Sequence, residues 1–409
     1  MIEAAAAPPT PAARRWSLAA AIGSIAVFGV GIGFTTPLLA LLLDQRGIGT
    51  ALNGLNAAAA FFGVVLGPLL TPALARRFGI RRFLLMCMAL DFALFLLMKP
   101  FDSFVAWLVL RAALGLFGSS IFTATEAWIN LLADDKSRGR IIGVYTAVLY
   151  GGFASGPLLL QATGIAGWLP FLAVSSVTLV AMLPLLGAAD AGFAGPADRP
   201  PAGPLAMFVR APFLLLAAAF FGTVEQAGFS VLPLWGVRVG MPPDEAATLL
   251  TATSLGALVL LPLVGWLSDM MPRSRVMLLC AAAGLMGVLL LPVAAGTHGL
   301  YVLLFLWSGV TAGIYPVALG MAGARFSGEE LVSINAALVI CYGLGGLLGP
   351  LFAGAALALW SPNGFVAALA LVLGLFLATT LAVGRAGQPR PKLRPHAVSP
   401  GRQERPPPR

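Results

Sequence analysis

The sequence predicts an all-α polytopic membrane protein whose twelve transmembrane helices form two pseudo-symmetric six-helix bundles. Three observations support this fold class. The 409 residues are 59% hydrophobic and only 10% charged, whereas soluble chains carry about 25% charged residues. Apolar runs long enough to cross a hydrocarbon core of about 30 Å recur along the whole chain. Two Gly-Pro pairs, at 156–157 and 349–350, and the connector positions 76 and 269 repeat at an offset of 193 residues.

Polar connectors, Gly and Pro positions and apolar length define the predicted spans. The first half contains 17–43, 51–75, 83–98, 104–131, 141–162 and 168–187. The second half contains 211–236, 246–268, 276–294, 299–323, 331–357 and 364–384. The first run is about 27 residues long, well beyond the 7–15 apolar residues of a signal peptide. We therefore expect it to stay attached as the first helix.

The spans divide the chain into five predicted regions. A short N-terminal segment, 1–16, precedes the first bundle, 17–188, and a linker rich in Pro, Gly and Ala, 189–210, leads to the second bundle, 211–384. The remaining segment, 385–409, is rich in Pro and Arg. Because it has almost no apolar content, we expect a disordered tail, either simply solvated or in contact with anionic lipid headgroups.

Basic residues predict the orientation. With the N-terminus inside, 14 Lys and Arg fall on the cytoplasmic side before the tail, against three outside, Arg46, Lys99 and Arg238. The positive-inside rule therefore places both termini in the cytoplasm and the protein in the cytoplasmic (inner) membrane. The formal charge of +9 is explained by these connectors, and we expect no nucleic-acid partner because no soluble module presents the cations.

Metal and redox chemistry are not indicated. Cys87, Cys280 and Cys341 lie singly within apolar runs, without the paired spacing of a metal or redox site. We expect buried thiols, no bound cofactor and no metal site, with a proton as the coupling ion. The expected partners are a small-molecule substrate and the surrounding lipids, and the expected functional unit is a monomer.

Several motifs resemble those of the major facilitator superfamily (MFS). The connector from Gly265 to Arg273 is similar to the superfamily signature Gly-x-x-x-Asp-Arg-x-Gly-Arg and keeps Asp269. The first-half connector keeps Gly79 but has Arg76 in place of the acid, which weakens the gating role that the resemblance implies for this loop. The resemblance implies a gate at the second-half connector; a static helix cap at Asp269 is the alternative.

Two further motifs extend the resemblance. Arg111 followed by Gly115 is similar to the superfamily's Arg-x-x-x-Gly pattern. Two Gly-x-x-x-Gly-Pro patterns are similar to a motif linked with exporters, which slightly favours efflux; they are formed by Gly152, Gly156 and Pro157 and by Gly345, Gly349 and Pro350. These residues predict either a hinge or close helix packing. The segments 125–128 and 314–318 look like the YcaD-like branch of the superfamily.

Glu225, followed by Gln226, is the candidate proton and substrate site. It lies near the middle of the seventh predicted span, where the halves of an alternating-access transporter meet. A carboxyl at that depth can exchange protons with both faces. The alternative is a neutral carboxyl hydrogen-bonded to a neighbouring helix.

Arg111 and Glu126 share one face of the fourth span. They are 15 positions apart, about 22 Å of helical rise, and so cannot pair directly. The resemblance implies that Arg111 binds an anionic group or takes part in proton relay; a structural ion pair is the alternative. Glu126 is a candidate for transport or a structural acceptor for Arg138 or Arg140. For Asp91 in the third span, a structural role is favoured.

The remaining candidates are residues that could line a cavity for a ring-containing substrate, although packing explains many such aromatics. They are Tyr150, Trp307, Tyr315 and Asn335. Together these features predict a proton-coupled secondary transporter of a small organic solute. An uncoupled uniporter and a non-transporting sensor or scaffold are the alternatives. An enzyme is not expected, because the spans hold no catalytic constellation of His, Ser/Lys or paired Asp residues.

Overall fold

The fold is built from helices. A computed structural model describes residues 11–101, 103–132, 138–188, 207–326 and 329–385, and every regular element in these ranges is helical. The helices are α1 (Pro11–Gln45), α2 (Thr50–Phe78), α3 (Ile80–Leu97), α4 (Phe104–Leu132), α5 (Arg138–Thr163), α6 (Leu169–Gly187), α7 (Met207–Arg210), α8 (Pro212–Arg238), α9 (Pro243–Met270), α10 (Arg273–Ala294), α11 (Gly299–Thr311), α12 (Ile314–Arg325), α13 (Glu329–Leu359) and α14 (Asn363–Arg385).

These helices match the twelve predicted spans. Within the described ranges, ten segments are long and apolar enough to cross a membrane, with α11 and α12 counted as one. The other two spans are α3, whose 18 residues include Arg81, Arg82 and Asp91, and α5, with 26 residues. α1 starts at Pro11, before the predicted start of its span. Most of the predicted linker and all but the first residue of the predicted tail lie outside the described residues.

The packing within the two halves repeats at the offset seen in the sequence. In the first half, Gly29 of α1 approaches the backbone of Leu149 on α5 so closely that a Cβ would lie 2.5 Å from its carbonyl oxygen. In the second half, Gly222 of α8 packs in the same way against the carbonyl of Tyr342 on α13. Both second-half residues lie 193 positions after their counterparts. The halves are therefore related in structure as well as in sequence.

The two halves contact each other mainly away from the termini. Twelve spans return the chain to its starting side, so α1 begins and α14 ends on one face, called here the terminal face; the opposite one is the distal face. Near the distal face, the Thr50 hydroxyl donates to the Gly354 carbonyl (2.9 Å), and the Thr251 hydroxyl donates to the Ala154 carbonyl (2.9 Å). These bonds join the halves across α2–α13 and α5–α9. The structure is closed at its distal face.

Candidate substrate and coupling site

Glu225 occupies the middle of α8. It is thirteen residues from Pro212 at one end of the helix and thirteen from Arg238 at the other, which corresponds to about 20 Å on each side. The Tyr342 hydroxyl on α13 donates to its Oε2 (2.6 Å), and Gln226 Nε2 donates to the same oxygen (3.3 Å) and to the Tyr342 oxygen (2.9 Å). This Glu225–Gln226–Tyr342 triad holds the carboxyl at the depth that the sequence predicted.

Glu225 of this triad borders a cavity whose empty space, counted together with the open solvent at its mouth, is about 450 Å³. Polar groups are few, and rings provide much of the wall. The lining residues are Tyr150 from α5, Phe221, Val224, Glu225, Gly228 and Phe229 from α8, Thr253, Ser254 and Ala257 from α9, and Trp307, Ser308, Thr311 and Ala312 from the tenth span. The second half therefore supplies most of the cavity, and α5 of the first half closes one side.

The tenth span breaks where it meets this cavity. α11 ends at Thr311 and α12 starts at Ile314, whereas the sequence predicted one continuous helix over 299–323. The physical reason lies in two residues. Gly313 fits against Val264, where a Cβ would collide with that side chain. Pro316 has no N–H to donate to the carbonyl of Ala312, four residues earlier. The break therefore leaves a backbone carbonyl without its helical partner at a residue that lines the cavity.

An aromatic cluster extends from the triad towards the terminal face. Tyr315 of α12 lies 5.6 Å from Tyr342 and 6.0 Å from Phe221 between ring centroids. Glu126, near the terminal end of α4, is exposed. The Arg138 and Arg140 side chains, the alternative partners of Glu126, lie outside the described residues.

Arg111 lies apart from this cavity. It is 5% exposed, and its Nη2 donates to the Thr36 hydroxyl (3.2 Å) while its Nη1 lies 3.5 Å from the Thr35 hydroxyl. Its Nε has no partner among the described residues. The ion pair considered as the structural alternative is therefore absent from the described part of the chain, and Arg111 instead ties α4 to α1 through neutral hydroxyls.

Comparison with known proteins identifies the family. The Major Facilitator Superfamily model matches residues 21–244 and again 214–408, so each match covers one half. The chain belongs to the major facilitator superfamily. Membrane transport by alternating access of two bundles is the activity of this family, and the prediction of an MFS transporter is confirmed.

Sequence relatives of this MFS chain are themselves MFS-type transporters. The chain is 22% identical over 335 residues to the uncharacterized MFS-type transporter YfkF of Bacillus subtilis (strain 168). The alignment covers 81% of this chain and 86% of that protein. It is 24% identical over 376 residues to the uncharacterized MFS-type transporter YcaD of Escherichia fergusonii, and the alignment covers 89% of this chain and 95% of that protein. These relatives fit the expectation of a transporter.

Solved structures share the MFS fold at low sequence identity. A bacterial homologue of the human lysosomal transporter Spinster, in an inward-facing and unoccupied conformation, matches with a TM-score of 0.68 and 17% identity, over 92% of this chain and 95% of that one. The nucleoside transporter NupG matches with a TM-score of 0.74 and 14% identity, over 90% and 98%. At these identities the match establishes the fold and leaves the substrate open.

The Gly-x-x-x-Gly-Pro motifs of this MFS chain pack helices within each half. A Cβ on Gly152 would lie 2.9 Å from the Val30 nitrogen of α1, and Gly156 packs against Gly33 of the same helix. In the second half, Gly345 and Gly349 pack in the same way against α8, at Ala219 and Thr223. Pro157 and Pro350 lie inside α5 and α13, which continue through them. Close packing is thus observed, and a hinge role stays a prediction.

In the two connectors that resemble the MFS signature, some residues contact other helices and others do not. Gly79 has φ +79°, which a residue without Cβ adopts freely, and it forms the turn between α2 and α3. Arg273 Nη1 donates to the Gly320 carbonyl (2.5 Å) and so joins α10 to α12. Asp269 is exposed and has no ion pair or cap bond with any described residue, and a Cβ on Gly265 would meet open space. The predicted cap is not formed in this conformation.

Other predicted residues lie outside the cavity. Asn335 on α13 is exposed and is not among the cavity-lining residues. Asp91 is 4% exposed, with Oδ1 unpartnered among the described residues. All three cysteines are free and buried, as expected.

Sequence reasoning missed the ion pair that joins the halves at the distal face. Arg238, at the end of α8, makes two hydrogen bonds to the carboxylate of Asp44, near the end of α1; Nη1 lies 2.9 Å from Oδ2, and Nη2 bonds Oδ1. The available signal was an acid and a base at the ends of corresponding helices in the two halves. Buried Ser254, whose hydroxyl has no described partner, was also missed.

Proposed function

We propose that this chain is a proton-coupled secondary transporter of a small organic solute, inserted in the cytoplasmic membrane with the terminal face in the cytoplasm. The observation that carries the proposal is Glu225, held by Tyr342 and Gln226 at the border of a cavity in the middle of the membrane-spanning region. A carboxylate in hydrocarbon is costly and is normally retained for a function. At this position it can bind a proton from either face as the two halves alternate.

The orientation rests on charge. The connectors on the terminal face carry most of the Lys and Arg residues of the chain, and such connectors stay in the cytoplasm. With this orientation the structure is closed towards the outside. Efflux is the proposed direction, since the packed Gly-Pro motifs resemble those of exporters.

Transport into proteoliposomes tests this proposal. The full chain is reconstituted, a pH gradient is imposed in either direction, and a mixture of organic cations, anions, zwitterions and sugars is added outside. Mass spectrometry then identifies what accumulates in the lumen. We expect at least one solute to accumulate against its concentration gradient with wild-type protein, and Glu225→Gln to abolish that accumulation.

Two results would contradict the proposal. Gradient-driven accumulation that is unchanged in Glu225→Gln removes this carboxyl from the coupling mechanism. A solute that only equilibrates, whatever the pH gradient, identifies a uniporter. Asp91→Asn provides the matched control, because it removes another buried carboxyl that does not line the cavity.

A further inference from the structure

The charge balance of the cavity points to the class of substrate. Glu225 is the one charged residue among the described lining residues, and no Lys or Arg accompanies it. Arg111 is hydrogen-bonded instead to two threonines of α1, within the first half. An ionised carboxylate removed from water requires a compensating partner. The described cavity supplies hydrogen bonds to this group but no positive charge.

The hydrogen-bond pattern leaves one carboxylate oxygen for a ligand. Tyr342 and Gln226 both donate to Oε2. No described residue donates to Oε1. Donors on a ligand can therefore reach Oε1 without displacing the bonds that position the carboxylate.

The rings around the carboxylate suit a cation with an apolar body. Tyr150, Phe221, Phe229 and Trp307 line the same cavity, and aromatic faces attract cations, most strongly where water is excluded. Trp307 donates its Nε1 to the Gly284 carbonyl (2.9 Å), so its indole N–H is already bound. An anionic ligand would meet Glu225 and these ring faces without a compensating cation.

Two further acceptors lie in the cavity wall. Ser254 is 1% exposed, and its hydroxyl has no described partner. The carbonyl of Ala312 receives no helical hydrogen bond, because Pro316, four residues later, has no N–H. Both residues belong to the lining. They offer hydrogen bonds to N–H groups next to a positive centre.

We propose that this cavity binds an amphipathic organic cation, with its charge at Glu225 Oε1 and its apolar body against the four rings. The inference rests on the proposed transport function and adds the substrate class. Because one carboxylate serves both the cation and the proton, the two compete, and transport becomes an exchange of cation for proton.

Two other titratable side chains lie near Glu225, and both are phenols. The titratable side chains near it are Tyr342 on α13 and Tyr150 on α5. The lining residues of α9 and of the tenth span include none. Phenols remain protonated below about pH 9, so competition between pH 5 and 8 reports on the carboxyl.

Two large organic ions of nearly the same shape and opposite charge provide the test. Binding of tetraphenylphosphonium and of tetraphenylborate is measured on the purified full chain in detergent by equilibrium dialysis. We expect the cation to bind, the anion not to bind above the protein-free level, and Glu225→Gln to weaken cation binding at least tenfold. Asp91→Asn should bind the cation like the wild type.

A pH series adds a readout that a purely structural role would not change. As the pH falls below the pKa of the Glu225 carboxyl, the apparent Kd of the wild type for the cation should rise by up to tenfold for each unit of decrease, and Glu225→Gln should show no such dependence. Equal binding of the two ions, or a cation Kd independent of pH in the wild type, overturns the proposal. Should Glu225→Gln fail to fold, the comparison of the two ions and the pH dependence of the cation Kd, both measured on the wild type, still test the proposal.

The two proposals can fail separately. If the proteoliposome screen finds gradient-driven accumulation of an anion or a sugar but not of a cation, the transporter proposal stands and the substrate class is wrong. If no solute responds to the gradient, the proposed function itself fails, whatever the binding data show.

Discussion

Loss of the Asp44–Arg238 ion pair should shift the conformational equilibrium towards opening at the distal face. The pair joins the two halves through two hydrogen bonds, and its side chains are 15% and 33% exposed, respectively. Exposed pairs contribute about 0.2–1 kcal/mol, and removing one partner of a buried pair costs about 3–5 kcal/mol. For this partly buried, bidentate pair we expect about 1–2 kcal/mol. Asp44→Ala should therefore raise the ratio of distal-open to distal-closed molecules about 5- to 30-fold.

Distance measurements by electron paramagnetic resonance can follow this shift. Spin labels at two distal-face positions, one in each half, report a short and a long distance whose populations give the ratio. Asp244→Ala is the matched control, since Asp244 is an exposed acid at the start of α9, near the same face. The charge swap Asp44→Arg with Arg238→Asp should restore the short distance. Unchanged populations in Asp44→Ala would show that the pair does not hold the halves together.

Three other substitutions have defined outcomes. Gly152→Ala places a Cβ 2.9 Å from an α1 backbone nitrogen and should destabilise the protein by about 1–3 kcal/mol. Its control, Gly151→Ala, places a Cβ in open space and should leave the melting temperature unchanged or raised. Equal melting temperatures of the two variants would contradict the close packing at Gly152. Tyr342→Phe removes the 2.6 Å hydrogen bond to Glu225, worth about 1.5–3 kcal/mol, and should slow proton-driven exchange at least tenfold at unchanged protein level. Arg111→Met should lower thermal stability and transport together, because both threonine contacts are lost; normal transport would limit Arg111 to packing.

Much of the fold could be predicted from sequence because hydrocarbon imposes a simple rule. Every lipid-facing span must be helical and apolar, so apolar length, polar connectors and Gly and Pro positions together placed most spans within a few residues of their helices. The offset of 193 was also readable, since glycines that pack against backbone, such as Gly152 and Gly345, must be kept in both halves for the helices to approach. These features depend on local composition.

Contacts between distant residues could not be predicted in the same way. The sequence places an acid and a base at the ends of corresponding helices, but it does not show that Asp44 and Arg238 pair, because their helices meet only after both halves have assembled. The break of the tenth span depends on Pro316, which is visible in the sequence, and on the fit of Gly313 against Val264, which a lone glycine in an apolar run did not predict. Glu225 was predicted from depth alone, whereas its partner Tyr342 follows from the packing of α13 against α8.

The location of Arg111 shows where motif reasoning stopped. Its pattern predicted an ionic or coupling role, and the structure instead places it against Thr35 and Thr36, apart from the cavity. Asp269 shows the same limit, because its predicted cap is not formed in this conformation. Motifs identified the helices that carry these residues, whereas their partners depend on the tertiary structure and on the conformation.

Proton counting tests the central claim that Glu225 couples solute to protons most directly. Proteoliposomes with a trapped pH-sensitive dye and a clamped membrane potential receive a solute found to accumulate in the gradient screen, and luminal pH is recorded as the solute enters. We expect proton movement opposite to the solute in fixed stoichiometry with wild-type protein and none with Glu225→Gln. Proton movement of equal size in Glu225→Gln would contradict it.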